Sequence, residues 1–330
     1  MDLKKRNILI IGNGSGGHFF PSLRVAEKLK DKGNNIHYVV AKNRLDSKII
    51  KSMVFPFIEL EYLGLKNNYF RFIKNQINNI KSVKRYIINN KIDLIIGFGG
   101  GLSFSCAVAG LILKIKVIIH EQNSILGRAN KLLKNNVLLL SSYEKFDKNA
   151  LFVGNPIVDQ NSNKNKEYFD VIIVFGSQGS SSLNKIFDEY LKHYDGKYRI
   201  LFVCNNSNFI YKNKKIVRKD FVNNLKDYYC KSRLVICRAG ATTLAELSMF
   251  DCKVVVIPSP YVVNNHQEKN AIKFKEKYGC QILNEKEIDS LIINKTINDN
   301  LNEIKCINKR KSIEKENFLN KFIEVIENEI

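Results

Sequence analysis

The sequence predicts an α/β protein made of two doubly wound, Rossmann-like domains that face each other across a cleft. Three features point to it. Short apolar runs alternate with helical patterns along the chain, the rhythm of a parallel sheet covered on both faces. The leading run of each half, 8–11 and 171–175, passes into a glycine turn and then a helix. Between the halves, residues 159–166 are polar and dominated by Asn and Lys, which reads as a linker.

In order along the chain, the strand candidates of the first half are 8–11, 36–40, 94–96, 117–119 and 137–140, with helices over 21–30 and within 63–88. The second half repeats the plan with strands at 171–175, 200–204, 234–236 and 254–257, and with helices around 183–190 and 244–249. From about residue 289 the chain is helical and highly charged. The expected boundaries are an N-terminal domain over 1–158, a second domain over 159–310, and a last helical segment, 311–330, that packs back on the first domain.

Composition narrows the class. An apolar content of 45% and a charged content of 26% are those of a soluble globular protein. The longest apolar run ends at Lys114, far short of the roughly 18 residues a membrane-spanning helix needs. Lys4-Lys5-Arg6 leads into an apolar stretch too short for a secretory signal, so a cytoplasmic chain is expected. Seven scattered cysteines without a C-x-x-C pair argue against a zinc site and against a disulfide framework. The net charge of +21 is spread through a chain rich in Lys, Asn and Ile. It is not concentrated on one element with stacking aromatics, so nucleic acid is not an expected partner. Charge of this sign does suit an anionic lipid surface.

Three glycine turns carry the chemistry. Gly12-Asn13-Gly14-Ser15-Gly16-Gly17-His18 fits G-x-G-x-x-G between a strand and a helix, where glycines let the backbone approach an anion held by the helix N-terminus. A dinucleotide site requires an acidic residue at the end of the second strand. Here that strand ends Val39-Val40-Ala41-Lys42, which argues against the nicotinamide reading. The second turn is Gly176-Ser177-Gln178-Gly179-Ser180. The third, Arg238-Ala239-Gly240-Ala241-Thr242-Thr243, offers N–H groups and hydroxyls to a diphosphate, with Glu246 in the following helix to grip a ribose diol or, alternatively, to pair with the helix dipole. After the strand at 254–257, Gln267 and Asn270 present amides suited to sugar hydroxyls. Most distinctive is His120-Glu121-Gln122-Asn123, four hydrogen-bonding side chains directly behind the strand Val117-Ile118-Ile119.

Taken together, Gly14 to His18 with Pro21, Gly97-Phe98-Gly99-Gly100, His120-Glu121-Gln122-Asn123 with Gly127 and Asn130, and Gly154-Asn155-Pro156 resemble one family. The likeness continues in Gly176-Ser177-Gln178-Gly179, in Arg238-Ala239-Gly240-Ala241 with Glu246, and in His266-Gln267 with Asn270-Ala271. The family is that of the N-acetylglucosaminyltransferases acting at the cytoplasmic face in bacterial cell-wall synthesis. The resemblance implies a GT-B fold and inverting transfer of N-acetylglucosamine from UDP-GlcNAc to the muramyl 4-hydroxyl of lipid I, giving lipid II, with no cofactor and no metal. It implies that Asn123, Ser177, Gln178, Arg238, Ala241, Thr242, Glu246 and Gln267 bind the donor, and that Gly14, Ser15, Gly16, Gly17 and Asn130 bind the acceptor. His18 and Glu121 are the two candidates for the catalytic base. Two departures stand out: Val158 replaces an arginine common in the family, and Phe175 replaces a glycine. A related enzyme with a diacylglycerol acceptor and an inactive nucleotide-sugar-binding protein are the alternatives.

A lipid acceptor implies membrane contact. Within 63–88, Tyr69, Phe70, Phe72, Ile73, Ile77 and Ile80 are interleaved with Lys66, Arg71, Lys74, Lys81, Lys84 and Arg85. Residues 69, 73, 77 and 80 fall on one helical face, as in a helix lying in a lipid interface. The expected location is therefore peripheral, at the cytoplasmic face of the cell membrane.

Overall fold

The computed structural model describes residues 5–13, 16–43, 45–53, 55–64, 68–144, 146–157, 167–176, 179–204, 211–222, 224–302 and 317–329. It divides into two units, 1–158 with 317–330, and 159–316. Each is built on one parallel sheet. Unit one contains β1 (Asn7–Ile11), α1 (Gly16–Asp31), β2 (Asn35–Ala41), α2 (Leu45–Lys51), β3 (Phe57–Leu60), α3 (Tyr69–Asn89) and β4 (Leu94–Gly97). It continues with α4 (Gly100–Ile112), β5 (Lys116–Glu121), α5 (Arg128–Leu133), β6 (Leu138–Ser141) and β7 (Ala150–Phe152). Unit two contains β8 (Val171–Val174), α6 (Ser181–Lys192), β9 (Ile200–Val203), β10 (Ile216–Lys219), α7 (Lys226–Tyr229), β11 (Leu234–Cys237) and α8 (Ala241–Leu247). It ends with β12 (Lys253–Val256), α9 (His266–Tyr278), β13 (Gln281–Ile282) and α10 (Ser290–Asn302); α11 (Phe318–Glu329) belongs to unit one.

Among the described residues the sheet orders are β3-β2-β1-β4-β5-β6-β7 and β10-β9-β8-β11-β12-β13. The two units thus share one plan: the chain winds outward from a central strand, returns to its other side, and winds outward again. Alternate residues of each central strand serve opposite faces. Ile8 and Ile10 pack with Tyr38, Val40 and Ile96 under α1 and α11, whereas Leu9 and Ile11 pack with Val39, Ile95 and Val117 under α4. In unit two, Val171 and Ile173 face the α6 side, and Ile172 and Val174 face the α8 and α9 side. A strand buried on both faces needs apolar residues at every position, which is why these runs stand out in the sequence.

The nine predicted strands are present. The four not predicted, β3, β7, β10 and β13, are the outermost strands of their sheets. They are short and half-exposed, so they carry no continuous apolar signal. Phe175 is buried against Phe187 and Phe202, with centroids at 5.0 Å and 6.5 Å, so the side chain standing in place of the family's glycine fills core volume. Val158 and the segment 159–166 lie outside the described residues. No described helix is long and apolar enough to cross a membrane.

Candidate active site

In open α/β sheets, ligands bind at the carboxyl edge where the strand order reverses. In unit one that point lies between β1 and β4. β1 leads through Gly12 and Asn13 towards α1, and a Cβ on Gly12 would run into Ser22 Oγ of that helix. β4 leads through Phe98 to Gly99 and Gly100, whose φ values of 90° and 84° lie in the region that glycine occupies without strain. The two turns meet: a Cβ on Gly99 would stand 3.3 Å from His18 Cε1, and one on Gly100 would stand 3.6 Å from Asn13 Oδ1. Two helices of 16 and 13 residues therefore begin side by side, each presenting N–H groups and a partial positive charge. Asn13 is buried here with neither side-chain polar atom hydrogen-bonded.

Gly16 and Gly17 open α1, and His18 is its third residue. Gly14 and Ser15 lie outside the described residues. His18 Nδ1 is 2.8 Å from Gln122 Oε1, so the turn after β1 is tied to the polar stretch after β5. That stretch is buried: His120 and Gln122 are enclosed, and Glu121 is 2% exposed. Burial pushes the His120 imidazole down to about 3; its hydrogen bond to Gly154 opposes this less strongly, and the nearby His18 lowers it further.

Glu121 does not present itself as a base. Its Oε1 accepts from Asn123 N and Asn123 Nδ2, both at 3.1 Å, and its Oε2 accepts from Gly127 N at 2.9 Å and Asn130 Nδ2 at 2.8 Å. All four lone-pair directions are occupied, so the carboxylate pins the loop from 121 to 130. Asn130 is likewise no surface contact: it is buried, with its amide nitrogen on Glu121. Its Nδ2 lies 3.8 Å from where a Gly99 Cβ would be, so it supports the Gly99 turn from below.

In unit two the order reverses between β8 and β11. The turn after β8 holds Gly176 and Gly179 at positive φ, and Gly179 N donates to Gly176 O at 3.0 Å. Ser177 and Gln178 lie outside the described residues. The turn after β11 ends at Gly240, the N-cap of α8, which places Ala241 and Thr242 in the first helical turn. Arg238 joins the two turns from beneath. Its guanidinium donates to Glu285 Oε2 at 2.8 Å, Ile257 O at 3.1 Å and Ser180 Oγ at 2.7 Å. Glu285 Oε1 accepts from Ser182 Oγ at 2.6 Å. Burial pushes the Glu285 carboxyl up, but the hydrogen bonds from Arg238 and Ser182 and the guanidinium charge outweigh it and hold it below the usual carboxylate range.

Glu246 is the sixth of the seven residues of α8. A helix dipole favours acidic groups only in the first turn, so the dipole reading of Glu246 fails on position. Gln267 is the second residue of α9 and accepts from Ser259 N at 2.9 Å through Oε1, leaving its amide N–H groups directed elsewhere. Asn270, a sugar-binding amide by its sequence context, is fully buried and donates to Ala239 O at 3.2 Å; it braces the third turn instead.

Sequence reasoning misses three residues. Gln122 carries no assigned role there, His120 figures only as part of the polar stretch, and Asn13 sits in a variable position of the glycine motif. The signal for Gln122 is its place between two histidine-bearing turns, which only spatial adjacency makes visible.

The first turns of α3 are inverted relative to an ordinary surface helix. Asn75, Gln76 and Asn79 are buried, with Gln76 Oε1 accepting from Ser105 Oγ at 2.5 Å and Asn79 Nδ2 donating to Glu61 O at 2.9 Å. Tyr69, Phe70, Ile73 and Ile77 point outward, Phe70 at 81% exposure. Of the basic residues interleaved with them, Arg71, Lys74, Lys81 and Arg85 are exposed and Lys84 is half-buried, while Lys66 lies outside the described residues.

Comparison with known proteins agrees with this layout. Residues 8–137 match the glycosyltransferase family 28 N-terminal domain, and residues 171–326 match the family 28 C-terminal domain. A UDP-N-acetylglucosamine–N-acetylmuramyl-(pentapeptide) pyrophosphoryl-undecaprenol N-acetylglucosamine transferase of Bacillus thuringiensis is 32% identical, covering 92% of this chain and 93% of that protein. The protein of the same name from Prochlorococcus marinus is 33% identical, covering 89% of this chain and 86% of its own length. Among solved structures, MurG of Acinetobacter baumannii superposes with a TM-score of 0.76 at 22% identity, over 98% of this chain and 99% of that one. A glycosyltransferase of kitacinnamycin reaches 0.75 at 11% identity, over 99% and 100%. The fold is therefore GT-B. With both parts of the family matched in order, and a glycine turn at each reversal of strand order, the chain belongs to glycosyltransferase family 28.

Proposed function

We propose that this glycosyltransferase moves N-acetylglucosamine from UDP-GlcNAc to the muramyl 4-hydroxyl of lipid I, giving lipid II with inversion at the anomeric carbon. The observation that carries the reading is the meeting of His18 with Gly99, and of Asn13 with Gly100, at the first reversal of strand order, where an imidazole stands beside two helix N-termini. The relatives at 32–33% identity, named for this transfer, support the same reading.

In unit one, Gly16 and Gly17, with Gly14 and Ser15, receive the acceptor diphosphate at the start of α1. His18 takes the proton of the attacking hydroxyl as general base. Glu121 and Asn130 hold the loop that carries Asn123, proposed as a contact to the transferred sugar. In unit two, Ala241 and Thr242 bind the diphosphate with Ser177 and Gln178, Glu246 takes the ribose hydroxyls, and Gln267 takes the sugar. Arg238 contributes by fixing the Ser180 turn. No step calls for a metal or cofactor.

The acceptor is a lipid, and α3 supplies the matching surface. Its outward aromatic and isoleucine side chains, flanked by lysine and arginine, suit the anionic face of a membrane, where apolar burial and charge attraction add. The proposed location is therefore peripheral, on the cytoplasmic side of the membrane.

The test is transfer of radiolabelled GlcNAc from UDP-GlcNAc to a lipid I analogue. Formation of the disaccharide lipid is the expected result. Retained UDP binding without transfer to lipid I, or transfer to diacylglycerol in its place, overturns it.

A further inference from the structure

Among the described residues, Gln122 is the side chain that hydrogen-bonds the His18 imidazole, and its orientation is imposed from behind. Gly154 O is 2.9 Å from His120 Nε2. A carbonyl oxygen only accepts, so His120 carries its proton on Nε2, with Ser142 Oγ a longer contact at 3.3 Å. His120 is fully buried, with the Phe98 and Phe322 rings at 5.6 Å and 5.3 Å. Burial keeps it neutral at any working pH, so its Nδ1 is an acceptor. Gln122 Nε2 lies 3.0 Å from that Nδ1 and 3.3 Å from His120 O. Both are acceptors, so the amide nitrogen points inward and the amide oxygen outward. That oxygen stands 2.8 Å from His18 Nδ1.

We infer that Gln122 and His120 are positioning residues that hold His18 as its Nδ1–H tautomer, with the lone pair on Nε2 kept for the acceptor hydroxyl. The inference rests on the transfer reaction proposed above. In the step itself, Nε2 takes the hydroxyl proton as the new oxygen–C1 bond forms. The C1–O bond to UDP breaks, its electron pair leaves with UDP, and the resulting imidazolium keeps its Nδ1–H on Gln122. The relay begins at Gly154, where a Cβ would collide with the Phe318 ring of α11. The Gly-Asn-Pro corner and the last helix thereby acquire a link to catalysis through the carbonyl they fix. An imidazole without such a partner is free to place its proton on either nitrogen, and the wrong choice removes the base.

The experiment uses the full chain labelled with ¹⁵N-histidine, whose five histidines are resolved by long-range ¹H–¹⁵N correlation, with His18→Ala and His120→Gln giving assignments. The expected pattern is Nδ1–H for His18 and Nε2–H for His120. In Gln122→Ala, His18 shifts towards Nε2–H and kcat falls by about tenfold or more, while KM for UDP-GlcNAc stays within about twofold. Gln122→Glu, protonated on the oxygen that faces the His120 acceptors, keeps its other oxygen on His18 Nδ1, so it retains the tautomer and recovers kcat relative to the alanine variant. Unmoved signals from His37, His193 and His266 show that each variant is folded. The inference is overturned if wild-type His18 is Nε2–H, or if Gln122→Ala leaves tautomer and kcat unchanged. A wild-type chain that shows the expected tautomers but no transfer to lipid I supports the relay and counts against the proposed acceptor.

Discussion

Glu121→Gln separates a carboxylate that does chemistry from one that holds a loop. Glu121 accepts four hydrogen bonds, two at each oxygen. Glutamine keeps one oxygen, and its NH₂ group must face two donors in place of the other. The amide settles with its oxygen on the Gly127 and Asn130 donors, because these bonds are the shorter pair and the Asn130 donor is buried. The half-buried Asn123 donors then lose their acceptor. Two lost bonds at roughly 1–2 kcal/mol each give a destabilisation of about 2–4 kcal/mol. For a unit of this size that lowers the unfolding midpoint by roughly 4–16 °C. The chain has no tryptophan, so unfolding is followed by far-ultraviolet circular dichroism, alongside the pH–rate profile of transfer. The expected variant is less stable but keeps the wild-type shape of the pH profile of kcat/KM. A variant of wild-type stability whose kcat drops by about a hundredfold or more would refute the assignment and return Glu121 to the chemistry.

Three further outcomes follow from the geometry. His120 has its folded-state value pushed from 6.5 down to about 3, so the unfolded chain binds the extra proton between those values. Stability present above about pH 6.5 is lost as the pH falls, by up to about 1.4 kcal/mol per unit, and urea titrations of His120→Gln show a shallower loss. Arg238→Met leaves the Glu285 carboxylate buried without its partner, which costs about 3–5 kcal/mol and weakens UDP binding measured by calorimetry; Arg238→Met with Glu285→Leu recovers the stability but not the affinity. Because the Glu285 value is lowered in the fold, its stabilisation is present above the ordinary carboxylate value and disappears as acid protonates it. Finally, Phe70→Ser removes an exposed ring from α3 and weakens sedimentation with anionic vesicles by about tenfold; unchanged binding would dismiss the membrane face.

The central strands are legible because burial on both faces demands apolar residues at each position, as in Ile8-Leu9-Ile10-Ile11. The edge strands are not, because β13, with only Gln281 and Ile282, is held by its neighbour β12 rather than by its own composition. Glycine turns are legible for the same kind of reason: Gly99 and Gly100 adopt dihedrals that side chains resist, so their place in the sequence marks the turn itself. Polar residues are harder to read. Glu121, Asn130, Asn270 and Arg238 all bear groups that suit a ligand, yet each is turned into the protein and bonded there. A carboxylate or amide looks the same in sequence whether its partner is a substrate or a backbone N–H.

The sequence by itself determined the two parallel sheets, the glycine turns at their carboxyl edges and the family to which the chain is similar, because local backbone demands and two-sided burial are written in contiguous residues. Only the tertiary structure decided which polar groups face outward. It brought residue 18 to residue 122 and residue 120 to residue 154, across 104 and 34 positions of chain. Hydrogen-bond direction along that line depends on which atom meets which, and no spacing in the sequence specifies it.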